Sequence, residues 1–458
     1  MKRLWLATLS AVLFGASFAR GGPPETRADF KSQADQPCKQ VDTSLAITLS
    51  HKKKLPDYAP DAADADGVVA PDSALGKTPS PCLDECLCQE PVCKSACQWR
   101  RPGSLWFGGA DYLLWWFKDG PAPPPMAVQP MRQPIQPQQI DHIGGQTVLG
   151  GSPIDPGVHS GGMFTLGRWL DCDSCFGVQG GFFFLGARTT TQSVASNGLP
   201  GSPTLLLPYF NPIRGLEQAT SIAQPGEFAG AATLASSSLL QGWEASAVYR
   251  PVRTGPFRRQ WLLGVAHLNL TENLAFATTS PDITAPFHTF NTLDNFRTQN
   301  TFYGAQAGLR GTLIRGRWAI EGISKLAMGN MHQRVDTNGV LLTSQFDGLQ
   351  QFPGGYFTQP TNIGVQTRDR FVVIPQTNIN LAYNITCNLR ARIGYTFLYV
   401  SSVARPGNSV DGVINPTQAP GITGVANQTL FGPARPAPLL HGSDFWAQGL
   451  NFGFDLAY

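Results

Sequence analysis

Residues 450–458 read L-N-F-G-F-D-L-A-Y, and the two faces of that stretch differ completely. Side chains of an extended chain point alternately to opposite sides. Leu450, Phe452, Phe454, Leu456 and Tyr458 therefore share one face, and Asn451, Gly453, Asp455 and Ala457 the other. A helical period of 3.6 would mix the two sets. One face suits hydrocarbon and the other water, as in the wall of a transmembrane β-barrel. Soluble sheets alternate as well, so the rest of the chain has to discriminate.

Working back from there, the pattern recurs. Leu389, Ala391, Ile393, Tyr395, Phe397 and Tyr399 alternate with Arg390, Arg392, Gly394 and Thr396. Thr377, Ile379, Leu381 and Tyr383 alternate with Gln376, Asn378 and Asn380, and Trp318, Ile320, Leu326 and Met328 with Glu321 and Lys325. Ten strands are expected, at 105–117, 161–170, 176–187, 238–250, 259–279, 296–312, 317–335, 369–384, 388–403 and 444–458. Their connections alternate: long ones at 118–160, 188–237, 280–295, 336–368 and 404–443, short ones at 171–175, 251–258, 313–316 and 385–387. Tight turns at one end, long loops at the other and an even strand count describe an outer-membrane barrel with periplasmic turns. The expected fold is all-β: a single transmembrane antiparallel up-and-down β-barrel of about ten strands, with twelve as the alternative count.

Composition supports this. Only 14% of the 458 residues are charged, against about 25% in a soluble domain. Outside residues 4–19 no apolar run approaches the roughly 18 residues of a membrane helix. A net charge of +3 is too small to point to nucleic acid. Lys2 and Arg3 precede the apolar stretch Leu4–Ala19, with small Ser17 and Ala19 before Arg20, so residues 1–19 read as a secretory signal peptide. Residues 20–104, poor in aromatics, read as a mostly disordered periplasmic segment, and 105–458 as the barrel. Export makes cysteines disulfide candidates, here among Cys82, Cys86, Cys88, Cys93, Cys97, Cys172 and Cys175. The spacing C-x3-C-x-C-x4-C-x3-C fits no structural zinc site, and no metal is expected.

Several segments resemble a bacterial outer-membrane family known as putative beta-barrel porin family seven. They include W-F-G-G-A-D-Y-L-L-W-W-F-K-D-G from Trp106, G-R-W-L-D-C around Trp169, G-G-F-F-F-L-G at 180–186 and L-N-L-T-E-N-L at 268–274. T-Q-N-T-F-Y-G-A-Q-A-G-L-R-G from Thr298, A-M-G-N-M-H-Q at 327–333, P-T-N-I-G at 360 and D-F-W-A-Q-G-L-N-F-G-F from Asp444 follow in order. The resemblance implies an outer-membrane barrel and attaches the word porin to the fold without naming a solute. Asn451, Gly453, Leu456 and Tyr458 resemble the C-terminal signal read by the barrel-assembly machinery.

Residues expected on the watery face are Glu244, Glu272, Gln306, Arg310, Glu321, Lys325, Gln376, Asn378, Asn380, Arg390, Arg392 and Asp455. They admit two readings: a porin for passive diffusion of small hydrophilic solutes, or a non-conducting structural or surface-interaction barrel with a side-chain-filled lumen. About ten strands leave a narrow interior, and Arg390 and Arg392 would give any pore an anion preference. No G-x-S-x-G, H-E-x-x-H or phosphate-binding loop is present, so neither enzyme activity nor a cofactor is expected. Expected partners are outer-membrane lipid, the assembly machinery and neighbouring barrels. The Pro-rich stretches 121–137 and 416–438 would contact those neighbours or fold over the barrel mouth.

Overall fold

The computed structural model describes residues 105–130, 145–171, 174–251, 257–285, 287–345, 348–423 and 429–458. The expected signal peptide, the segment 20–104 and the cysteines at 38, 82, 86, 88, 93, 97 and 172 lie outside the described residues. The strands are β1 (Trp106–Phe117), β2 (Pro125–Pro130), β3 (Gly145–Gly150), β4 (Val158–Trp169), β5 (Phe176–Ser196), β6 (Leu205–Asn211), β7 (Leu216–Ala223) and β8 (Gly230–Tyr249). They continue as β9 (Phe257–Pro281), β10 (Thr289–Arg315), β11 (Trp318–Thr343), β12 (Gln350–Pro353), β13 (Gly364–Asn384), β14 (Leu389–Ala404) and β15 (Gly442–Ala457).

Ten of these close on themselves. β1, β4, β5, β8, β9, β10, β11, β13, β14 and β15 pair antiparallel in that order. β15 then returns to β1 with Phe107 opposite Ala457 and Phe117 opposite Ala447. Closure removes every sheet edge, the condition for strands to cross a bilayer. Consecutive strands join through tight turns at one end, called here the turn end. Between Arg315 and Trp318 only Gly316 and Arg317 intervene, and Gly316 has φ +62°, the left-handed conformation that two-residue hairpins require.

Turn-end strand limits agree with the sequence reading to within about three residues. At the loop end the strands run further than expected: β5 to Ser196 instead of 187, β8 from Gly230 instead of 238, β10 from Thr289 instead of 296, and β11 to Thr343 instead of 335. These extensions obey a different polarity rule. On β10 the outward residues Tyr303, Leu309 and Leu313 are exposed and apolar while Gln306 and Thr312 are buried within; beyond Tyr303 the outward residues are Thr301, Gln299 and Arg297, and the buried ones include Phe296 and Phe302. β11 switches between Met328 and Asn330, with Met331 and Val335 inside, and β9 between Val265 and Asn269, with Leu268, Leu270 and Leu274 inside. The turn-end half is thus apolar outside and mainly polar inside, with Trp169, Val248 and Leu262 buried at its rim, whereas the loop-end half is polar outside and mixed inside, where Asp294, Thr298 and Asn300 are buried beside Phe296 and Phe302.

The apolar outer band covers about eleven residues per strand, Tyr303 to Leu313 on β10. At about 3.4 Å per residue and a tilt of about 40° that is close to the roughly 25 Å band of outer-membrane barrels. Aromatic side chains mark both borders. Trp106, Tyr249, Trp261 and Trp318 are exposed at the turn end, and Trp243, Tyr303 and Phe371 at the switch in polarity.

The long connections, expected to be irregular, are largely structured. β3, β2, β6 and β7 form a separate four-stranded sheet, drawn from the connections after β1 and β5. Its apolar residues, among them Met126, Leu149, Leu205 and Ile222, share a core with Leu234, Phe276 and Phe296 of the barrel wall and with Tyr356, Phe357, Val410 and Ile414 of two other loops. The reading of these segments as loops failed because their Pro and Gly content masks two short hairpin-like pairs, β2 with β3 and β6 with β7, which join into one sheet only where Val128 meets Leu206 of the other connection.

Candidate functional site in the lumen

Three layers fill the lumen. The first, in the turn-end half, is polar. Arg390 donates through Nε and Nη2 to Asp455 at 2.8 and 2.6 Å and lies 3.7 Å from Glu321. Arg392 forms a two-pronged pair with Asp111, 2.7 Å from Nε to Oδ1, and reaches Asp455 with Nη1. Planar guanidinium groups suit such bidentate pairing. Lys325 pairs with Glu244, Gln306 donates to Ser246 at 2.8 Å and to Glu244 at 3.2 Å, and Arg310 donates to the amide oxygens of Gln260 and Gln179 at 3.0 and 2.9 Å. Asn380, Asn378, Thr396 and Asn451 continue as a chain of hydrogen bonds that ends on Trp115, whose Nε1 donates to Asn451 at 2.8 Å.

The second layer, level with the loop-end border of the lipid band, is apolar. Leu113, Trp115, Leu185, Leu240, Leu270, Phe302, Met331, Val372, Leu398 and Phe445 belong to one buried cluster. Nine barrel strands contribute members, and the tenth, β4, packs Met163 against it. Side chains from the whole circumference meet in the middle, as a narrow barrel permits.

The third layer consists of loop segments held by two buried acids. Glu272 of β9 receives Arg405 of the loop after β14 at 3.0 and 2.7 Å, and Arg405 also donates to the carbonyl oxygens of Lys118 and Asp119. Arg405 is 2% exposed. Asp294 of β10 lies outside the apolar band, in the loop-end extension. It accepts the backbone N–H groups of Tyr356 and Thr358 at 3.0 and 2.7 Å and the Thr358 hydroxyl at 2.7 Å, fixing residues 354–359 inside the barrel mouth. Gly355 packs directly on the Asp294 carboxylate, where a Cβ has no room.

All twelve sequence-selected residues lie on the inward face, but they do not form one site. Eleven lie in the turn-end layer, with Gln376 against the same cavity, while Glu272 sits apart with Arg405. Arg390 and Arg392, expected to bias a pore toward anions, are neutralised by Asp455, Asp111 and Glu321. Asp111, Asp294 and Arg405 escaped the reading. Asp111 did carry a signal, as the lone charge in an aromatic strand. Arg405 lies in a Pro-Gly turn that nothing marks as buried. Of the cysteines weighed for disulfides, Cys175 is described; its N–H donates to Asp171 at 2.8 Å within the turn before β5.

Burial without a cationic partner pushes the Asp294 carboxyl up to about 6, outweighing the hydrogen bonds it accepts. The unfolded value lies near 4. Its contribution to stability is therefore complete below about 4 and is lost as pH rises through 6. Hydrogen-exchange protection of the 354–359 amides, corrected for intrinsic rates, is expected to increase from pH 7 to pH 5, and Asp294→Asn should abolish that increase. Protection that falls over this interval would refute the assignment.

A family model described as putative beta barrel porin-7 matches residues 107–458. No curated protein sequence matches the chain. Among solved structures, the outer membrane protease OmpT from Escherichia coli aligns at 9% identity and a TM-score of 0.31, over 78% of this chain and 97% of the other. A Pseudomonas aeruginosa FadL homologue aligns at 7% identity and a TM-score of 0.20, over 77% and 90%. The closed strand pairing itself, and not these likenesses, makes the chain a barrel.

Proposed function

The chain belongs to the beta barrel porin-7 family, and within that family we propose that it is a closed, non-conducting outer-membrane barrel that holds a folded loop-end cap at the cell surface. The apolar layer carries this reading. A porin for small hydrophilic solutes needs a continuous wet path, and here Leu113, Phe302, Met331, Val372 and Leu398, with partners from every wall strand, occupy the lumen. Water and ions would have to cross that layer without hydrogen-bond partners, at high cost. Below it, ion pairs join β1, β11, β14 and β15 across the interior, cross-linking the wall. Above it, the Arg405 and Asp294 contacts anchor the loops.

Orientation belongs to the same proposal. The end with the long connections faces outward and the turn end faces the periplasm, as in other up-and-down barrels, which puts the N-terminal segment on the periplasmic side. The lipid-facing band meets outer-membrane lipid, and the cap is the surface offered to neighbouring molecules. The reading assigns the barrel no catalytic step.

Planar-bilayer recording on the purified protein tests it. No discrete conductance steps are expected under moderate voltage. Regular steps of uniform size would establish passive diffusion and overturn the closed-barrel reading.

A further inference from the structure

The polar and apolar layers leave a space between them. A cavity of about 180 Å³ lies in the turn-end half of the lumen, many times the roughly 10–15 Å³ that one ordered water needs. Met163, Phe183, Leu268, Phe302 and Leu398 bound it on the side of the apolar layer, and partly exposed Phe107 and Arg258 bring it to the turn end. Its lining includes six Lys or Arg side chains against three Asp or Glu.

Half of those cations are paired with acids in the wall: Lys325 with Glu244, and Arg390 and Arg392 with Asp455, Asp111 and Glu321. Arg310 differs. Its two Nη groups are held by the neutral amide oxygens of Gln260 and Gln179, and its Nε is buried with no hydrogen-bond partner. Glu244 and Glu321 face it only at longer range. The Nε atom is sealed off by the wall, so a ligand in the cavity would meet the remaining Nη protons, where an acceptor that carries charge makes a stronger bond than a neutral one. The glutamines fix the orientation of the guanidinium, which has no contact ion pair, while Glu321 and Glu244 balance its charge in part from further away.

We propose that this cavity is a binding site for a small organic anion with a carboxylate head and an apolar body. The head accepts from Arg310, and the body lies against the Phe302 and Phe183 side of the cavity. An inorganic anion would leave that apolar surface unused, and a neutral apolar molecule would leave Arg310 as it is. The site does not require a conducting lumen, since among the described residues it is approached from the turn end, past Phe107 and Arg258.

Benzoate is the probe, titrated by calorimetry into the full-length protein in lipid nanodiscs, with empty nanodiscs as the blank. Saturable binding of benzoate is expected, with benzyl alcohol and inorganic phosphate each at least about tenfold weaker, the loss that goes with one charge-assisted hydrogen bond. Arg310→Met should lower benzoate affinity by a similar factor while leaving benzyl alcohol unchanged. Removing Arg310 also uncovers Glu321, so if the variant does not fold, the wild-type comparison of benzoate with benzyl alcohol decides alone. Equal affinities for those two, phosphate binding as tight as benzoate, or heats no larger than the blank would each overturn the proposal.

Discussion

Arg392→Met is expected to destabilise the barrel by about 3 to 5 kcal/mol, the range for breaking a buried ion pair from one side. The side chain lies between Asp111 of β1 and Asp455 of β15 and bonds to both. Methionine fills a similar volume but leaves two carboxylates facing each other in a site only a few per cent exposed. Asp455 keeps Arg390, whereas Asp111 loses its ion-pair partner. The loss therefore falls chiefly on the seam between β1 and β15, the pairing that closes the barrel. Urea unfolding of the protein in lipid vesicles measures it. The triple change Arg392→Met, Asp111→Asn, Asp455→Asn should recover part of the loss, because replacing all the charges is far milder than stranding some of them. A single variant as stable as wild type would mean that water reaches the pair and screens it.

Phe454→Arg should cost roughly 2 to 4 kcal/mol, the depth-dependent cost of a cation on the lipid face near mid-bilayer. Phe454 points outward, 56% exposed, opposite Ala110 and Ala391 near the middle of the apolar band. Thr301→Arg places the same group on the same outer wall just beyond the polarity switch, next to His332 and Asn269. There the cost should be within about 0.5 kcal/mol, as for an ordinary surface change. Similar losses at both positions would remove the basis for placing the membrane border at Tyr303.

The sequence made the membrane half readable because there the solvent imposes a strict period of two: lipid rejects charge on one face, and a wet interior rejects long apolar runs on the other. Leu389–Tyr399 and Leu450–Tyr458 display it in full. The loop-end extensions were harder. R-T-T-T-Q-S-V-A-S at 188–196 and G-A-A-T-L-A-S-S at 230–237 are small and weakly amphipathic, so their alternation carries little contrast, and D-T-N-G at 336–339 reads as a turn although β11 runs straight through it. The cap sheet was illegible for another reason: β2 pairs with β3 and β6 with β7 inside their own connections, but these strands are only six to eight residues long, and β2 and β6 meet across about eighty residues of sequence. Buried polar residues followed the same division. Glu321 and Asp455 stand out against apolar neighbours on barrel strands, while Asp294 and Arg405 owe their burial to loops that fold back over them.

Gly453 illustrates how one residue can serve two constraints. It stands among the residues that resemble an assembly signal, and its missing side chain also makes room for the Asp111 carboxylate and the Ala110 carbonyl. A bulky residue there would press on the Asp111–Arg392 pair whether or not the machinery reads that position.

The reversal of polarity along each long strand makes the protein its own depth gauge. A barrel with a uniformly apolar wall can ride higher or lower as the bilayer thickens or thins. This one cannot do so freely. Sinking by a single residue pair, about 5 Å along the normal, would push Asn269, Thr301 and Asn330 into hydrocarbon around the rim, and rising by as much would lift Trp243 and Tyr303 clear of it. Sliding one strand against its neighbour fares no better, because a one-residue slip exchanges the two faces and so turns buried residues such as Phe302, Leu270 and Met331 outward at the border while inserting charge into lipid below it. Immersion level and strand register are thus locked by the same residues, and a membrane of altered thickness would have to deform around the protein, not the protein around the membrane.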